Sequence, residues 1–211
     1  MRTSRHSLLA ISAVLFSVVL TASAQATPIY NNLPSATDGN DPVATFGPLA
    51  DSFSTGASAF SLESITVFLS GDPANAGDFT MSLLGDSGTA PGAVLATIGT
   101  MSDSALNPTF GQLQFMLGLP FALAPNTRYW VELSGPTTSA AWAWSLDQTG
   151  LGVAGEFFSN AGGVFPNDTG PYQMSVDGTA VGGSAVPEPG TLLLLGAGLA
   201  ALTRANRRRR G

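Results

Sequence analysis

Between residues 27 and 184, apolar side chains recur at every second position in runs of five to eight residues. Gly, Pro, Asn or Asp interrupts each run, and a period of two is the pattern of a half-buried β-strand. Phe79, Met81 and Leu83 alternate with Thr80 and Ser82, and Leu113, Phe115 and Leu117 with Gln112 and Gln114. Tyr129, Val131 and Leu133 alternate with Arg128, Trp130 and Glu132. Tyr172, Met174 and Val176 repeat the pattern, with Gln173, Ser175 and Asp177 expected to face outward. Over Phe60 to Leu69 the apolar parity shifts between Leu62 and Ile65, which predicts a bulge or bend in a long strand. Turns are expected at Gly71-Asp72-Pro73, Gly85-Asp86-Ser87-Gly88, Ala90-Pro91-Gly92, Pro125-Asn126 and Ser134-Gly135-Pro136, where fixed-φ Pro meets permissive Gly or Asn. Helical periodicity is hard to find. About ten strands of this kind predict an all-β fold, a single two-sheet β-sandwich with jelly-roll-like connections. Trp142 and Trp144 share a face with Leu146, opposite Ala141, Ala143 and Ser145, and are expected in the core.

Two apolar runs stand outside that pattern. Arg2 and Arg5 precede the stretch from Leu8 to Leu20, and Ala22-Ser23-Ala24 offers a small-x-small cleavage site, so residues 1–24 read as a signal peptide cut by signal peptidase at Ala24. Ala24-Gln25-Ala26 offers a second cut, which puts the mature start at Gln25 or Thr27. At the other end, Pro187-Glu188-Pro189 is followed by the apolar run Thr191 to Thr203 and then by Arg204, Arg207, Arg208, Arg209 and Arg210. At about 1.5 Å per residue this run spans roughly 20 Å, short of a ~30 Å hydrocarbon core. The arginines favour the cytoplasmic side, which leaves the Pro-Glu-Pro segment at the opposite face, within reach of a processing enzyme. A short transmembrane helix of this kind suits temporary retention in the inner membrane. The order of proline-flanked Glu, short apolar helix and Arg cluster resembles the PEP-CTERM tail of Gram-negative, exopolysaccharide-producing bacteria. That resemblance implies an exosortase as partner, processing at Pro187, Glu188 and Pro189, and delivery to the cell surface or extracellular matrix. The chain thus divides into residues 1–24, an exported domain over 25–184, and a sorting tail over 185–211.

With both ends set aside, the exported part retains one basic residue, Arg128, against thirteen carboxylates, a net charge of −12. Nucleic acid is excluded as a partner, because phosphate neutralisation needs several Lys or Arg contacts. The chain has no Cys, so nothing staples the fold but its own core, which roughly 160 residues are enough to build. The one His, His6, lies in the signal peptide, and the chain has no Lys. A Ser-His-Asp triad, a thiol nucleophile, a Schiff-base lysine and a His-ligated zinc site are therefore all impossible in residues 25–186. Only carboxylate chemistry survives. Glu63, Glu132 and Glu156 with ten Asp residues could supply a glycosidase pair, but sequence does not set the separation of about 5 or 6.5–9.5 Å that such a pair requires.

Several segments carry a second resemblance. Phe53-Ser54-Thr55-Gly56, Phe60 to Ile65, Leu84 to Gly88 with Pro91 to Leu95, and Leu123 to Gly135 are similar to the choice-of-anchor R domain over most of residues 45–178. The shared features are strand and turn signatures. They imply a β-sandwich surface protein and transfer no active site.

Two candidate sites remain. Arg128, Trp130 and Glu132 share the face of their strand opposite Tyr129, Val131 and Leu133, and an aromatic face between a cation and a carboxylate is suited to a sugar ring. The alternative is that Trp130 packs under a loop with Arg128 and Glu132 as an ion pair. Asp38, Asn40 and Asp41 offer closely spaced oxygens around Gly39, a fragment of a Ca²⁺ loop or an ordinary Asx-rich turn. Asn167-Asp168-Thr169 matches a glycosylation sequon. The functional expectation is a non-enzymatic surface or exopolysaccharide-matrix protein without a required cofactor, with a carbohydrate-binding module as the alternative and a carboxylate glycoside hydrolase as a distant third.

Overall fold

The computed structural model describes residues 25–181. The expected signal peptide with Ala24, and the tail with its Pro-Glu-Pro segment, apolar run and arginines, lie outside the described residues. The chain forms β1 (Thr27–Asn31), β2 (Gly39–Pro42), a single helical turn (Val43–Phe46), β3 (Leu49–Ser54), β4 (Ala59–Ser70), β5 (Asp78–Asp86) and β6 (Pro91–Ser102). Then follow β7 (Gly111–Leu123), β8 (Arg128–Ser134), β9 (Ala141–Trp144), β10 (Phe157–Asn160), β11 (Gly163–Pro166) and β12 (Met174–Val181). The described residues form twelve strands where about ten are expected. The surplus comes from four-residue strands such as β2, β10 and β11, which are too short for a period of two to register.

The strands pair antiparallel in two six-stranded sheets. One runs β1-β12-β4-β9-β2 with β7 on the free side of β4, and the other runs β11-β10-β3-β8-β5-β6. The inward rows of both contribute to one core: Leu62, Ile65 and Val67 of β4 and Met174 and Val176 of β12 on one side, Phe79, Met81 and Leu83 of β5 with Tyr129, Val131 and Leu133 of β8 on the other. Each row consists of alternate residues, as the sequence pattern requires, except between Leu62 and Ile65 of β4. The all-β class and the two antiparallel sheets are as expected.

The parity shift in β4 is a bulge at Glu63. Leu62 and Ser64 pair with the adjacent residues Gly178 and Asp177 of β12 while Glu63 stands out of that ladder, the register with β7 jumps from Phe121 to Met116 at the same point, and Thr179 Oγ1 donates to the Glu63 Oε1. Other details differ from the sequence reading. Ala90-Pro91-Gly92 is not a turn: the hairpin loop is Ser87–Ala90, with Gly88 at φ 63° and Thr89 at φ 72°, and Pro91 opens edge strand β6, where its missing N–H is not needed. Leu146 does not join the core. Strand β9 ends at Trp144, and beyond it Leu146 is 55% exposed while Ser145 is buried.

Gln173 and Ser175 are likewise buried rather than outward-facing. The segment 32–37 lies over that face. Gln173 donates through Nε2 to the Ser35 carbonyl at 2.7 Å and accepts from Thr37 Oγ1 at 2.6 Å, so its polar atoms are satisfied within the protein. The indole N–H of Trp142 donates to the Gln173 carbonyl at 2.9 Å, and its ring stacks on Tyr172 at 4.8 Å.

Candidate functional site

Strand β3 carries the sequence Leu-Ala-Asp-Ser-Phe-Ser, and its alternation puts Asp51 on the core side between Leu49 and Phe53. The carboxyl is fully buried. It is satisfied by protein donors: the Tyr172 backbone N–H reaches Oδ2 at 2.7 Å, and Asn167 Nδ2 reaches Oδ1 at 3.1 Å. Burial pushes its pKa well above the usual aspartate range, and the nearby Glu156 adds to the shift, while the two donors pull the other way. Burial also raises Tyr30, whose hydroxyl accepts from Asn167 Nδ2 at 3.3 Å, and the carboxyls of Asp51 and Glu156 raise it further.

On the opposite face of β3, Ser52 Oγ donates to Glu156 Oε2 at 2.5 Å and accepts from the Phe157 N–H at 2.9 Å. Arg128 enters from the start of β8. Its Nε lies 2.8 Å from Glu156 Oε2, Nη2 donates to the Gly155 carbonyl at 3.0 Å, and the guanidinium sits 4.9 Å above the Phe157 ring. The one cation of the domain thus holds the short segment that leads into β10. Asn167 closes the arrangement from the turn after β11, with its backbone N–H donating to the Glu156 carbonyl at 2.9 Å. Between this turn and residues 148–157 lies a cleft of about 280 Å³, lined by Gln148, Ala154, Glu156, Phe157, Asn167 and Asp168 among others.

The predicted sugar platform is not assembled. Trp130 has no exposed surface: Ala50 and Leu84 pack beside it, Phe157 covers it, and its Nε1 donates to Asp86 Oδ1 at 2.9 Å, so its ring has no face free for a sugar. Arg128 pairs with Glu156 and not with Glu132, which is half-buried with its pKa raised by that burial. Asp38, Asn40 and Asp41 do not form a turn, because Gly39–Pro42 is strand β2, paired to β9. Their carboxylates already serve protein donors: Asp38 accepts from the Leu146 N–H at 2.7 Å, and Asp41 accepts from Tyr172 Oη at 2.6 Å and Asn160 Nδ2 at 3.3 Å. Among the described residues no three metal-ligating side chains gather into a site. The sequon asparagine, Asn167, is only 2% exposed. Glu63, Glu132 and Glu156 sit on β4, on β8 and just before β10.

The convergence of Asp51, Ser52, Glu156 and Asn167 escaped sequence reading, which met Asp51 and Glu156 only as general carboxylate candidates and Asn167 only in a sequon. The one local signal was Asp51 at an apolar parity between Leu49 and Phe53.

At the far end of the chain, residues 185–210 match the family model described as the PEP-CTERM protein-sorting motif. The chain carries the PEP-CTERM sorting signal. The matched span begins four positions after β12 ends at Val181, so the tail is joined almost directly to a strand of the sandwich. The motif implies an exported protein, transient anchoring in the membrane through the tail, and exosortase as the processing partner. No curated protein matches the chain.

Proposed function

We propose that the PEP-CTERM protein is a non-enzymatic component of the cell surface or exopolysaccharide matrix, whose β-sandwich is the exported cargo and whose tail is removed by exosortase at Pro187-Glu188-Pro189. The observation that carries this reading is the sorting motif at 185–210, set directly behind the last strand. Several features support it. Residues 25–186 have no Cys, His or Lys, which leaves only carboxylates for chemistry. The carboxyl of Glu156 is tied to Arg128 and Ser52, and that of Glu63 to Thr179, so neither stands free as an acid and base pair would. The likeness of residues 45–178 to choice-of-anchor R domains points to a surface β-sandwich of the same kind.

Intact mass and fractionation of the protein from its native host, with and without the exosortase, test the reading. Loss of the residues beyond the Pro-Glu-Pro segment, with surface release only when the enzyme is present, is the expected result. Retention of the arginine tail in the inner membrane in both strains would make the segment an ordinary anchor and remove the basis for a matrix role.

A further inference from the structure

Residues 87–127, which run from the β5–β6 hairpin through β6 and β7, contain a single charged side chain, Asp103. That carboxylate is buried, where Thr138, Asn75 and the Ser139 N–H donate to it. At the two ends of the stretch, Asp86 is held by the Trp130 indole and Arg128 by Glu156. One whole margin of the sandwich is therefore uncharged, in a part of the chain whose net charge is −12. β6 is the last strand of its sheet, and β7 has a neighbour, β4, on one side only. The two sheets close on each other along these strands, with Phe115 of β7 edge-on to Phe79 of β5 at 6.2 Å.

On the outside of this margin stand Val94 and Leu95 of β6 and Met116 and Leu119 of β7, all exposed. A wide bulge puts the last of them there: Met116 pairs with Ser64 and Phe121 with Leu62, so residues 117–120 have no partner on β4. Leu119, carried on that bulge, keeps 84% of its surface in water, more than any other large apolar side chain among the described residues, and Met116 keeps 64%. Large apolar side chains gathered on a margin without charge mark a contact surface for an apolar partner.

The position of the tail selects that partner. Only residues 182–190 separate Val181 from the apolar run that begins at Thr191, a reach of about 30 Å at roughly 3.3–3.6 Å per residue. β12 and β7 flank the same strand, β4, and so lie roughly 10 Å apart. While the tail is anchored, the uncharged margin is kept within reach of the leaflet, at an effective concentration that no untethered partner shares. Apolar contact with lipid asks for no cation from the protein, and the margin brings no free carboxylate against the headgroups. We propose that this margin, through Leu119, Met116, Leu95 and Val94, sits on the lipid surface while the tail holds the chain in the membrane. The proposal rests on that anchoring, and vesicle flotation reads the anchoring separately.

The test uses the full chain with its tail, reconstituted into phosphatidylcholine vesicles. The chain has no Cys, so Leu119→Cys and Leu95→Cys each carry one thiol for an environment-sensitive fluorophore. Ala74→Cys, in the loop between β4 and β5, and Val164→Cys, on β11 at the other margin of the sheet that ends in β6, are exposed controls. The expected result is a blue-shifted emission at positions 119 and 95 that spin-labelled lipid quenches, with both controls remaining as in water. Met116→Ser combined with Leu119→Ser, two exposed positions that leave the urea midpoint unchanged, should return the label at position 95 to its aqueous emission. Aqueous emission at 119 and 95 in protein that floats with the vesicles overturns the docking alone, and protein that does not float overturns the anchoring with it. Equal lipid signal at all four positions also overturns the proposal. So does a blue shift at 119 that appears without lipid and grows with protein concentration, which assigns the margin to a second copy of the chain.

Discussion

Replacing Asp51 with Asn isolates the cost of a carboxyl in the middle of the sandwich. Asp51 lies between Leu49 and Phe53 without exposed surface, and burial raises its pKa well above the aspartate range, against the opposing pull of its two donors. In the unfolded chain the same group titrates near 3.9. Between these two values the unfolded chain has released its proton and the folded protein has kept it. Stability therefore falls as pH rises, by about 1.4 kcal/mol per pH unit for one proton, and levels off above the folded value. Every other carboxylate contributes its own slope, but those slopes are common to wild type and Asp51→Asn and cancel in the difference. Asn at this position cannot ionise. It keeps a carbonyl for the Tyr172 N–H and meets Asn167 once that amide turns over. The two proteins should thus be close in stability near pH 4, and Asp51→Asn should gain on wild type by up to about 1.4 kcal/mol per pH unit above it, until the difference reaches a plateau. Urea unfolding followed by tryptophan fluorescence at pH values from about 4 to 9 measures this directly. A difference that stays flat across that range, or one in which the variant loses ground as pH rises, would refute the assignment of a raised Asp51.

Other substitutions read different parts of the structure. Trp130→Ala should destabilise by about 3–5 kcal/mol in urea melts, as for any large buried aromatic. Arg128→Ala strands the buried Glu156 carboxylate and should cost about 1.5–3 kcal/mol, and a double-mutant cycle with Glu156→Gln should recover part of that loss; full additivity would mean that the pair is not coupled. Gly135→Ala places a Cβ 2.5 Å from the Asp78 carbonyl oxygen and should lower stability by roughly 1–3 kcal/mol, whereas Gly56→Ala, with nothing within 4 Å, should show only the smaller strain of its φ of 60°. Alanine at Pro187, Glu188 and Pro189 together should leave the mass of the tail on the protein in an exosortase-positive host.

The strands whose side chains face water on one side were legible, because the period of two reports a single buried face. The inward rows of β5, β8 and β12 and the bulge at Glu63 all follow from it. Legibility failed where a second layer covered the outer face. Trp130, Gln173 and Ser175 sit at positions that alternation assigns to solvent, yet Phe157 covers Trp130, and the 32–37 segment takes up Gln173, both from elements distant in sequence. The candidate site was illegible for a related reason. Asp51 and Asn167 are brought together across a sequence separation of 116 by the pairing of β10 with β3, and no local spacing encodes that pairing. The tail is the opposite case. Its signal is short and contiguous, so the residue order alone sufficed to assign it.

The first and last strands of the sandwich lie side by side, Thr27 opposite Gly178, with β12 held by β1 on one flank and β4 on the other. A tail fastened to β12 therefore pulls on a strand laced along both edges. Tension directed along that strand would load its cross-strand hydrogen bonds together, in shear, rather than peeling them away one at a time. The end of the sandwich from which the tail leaves is thus secured by two neighbouring strands at once.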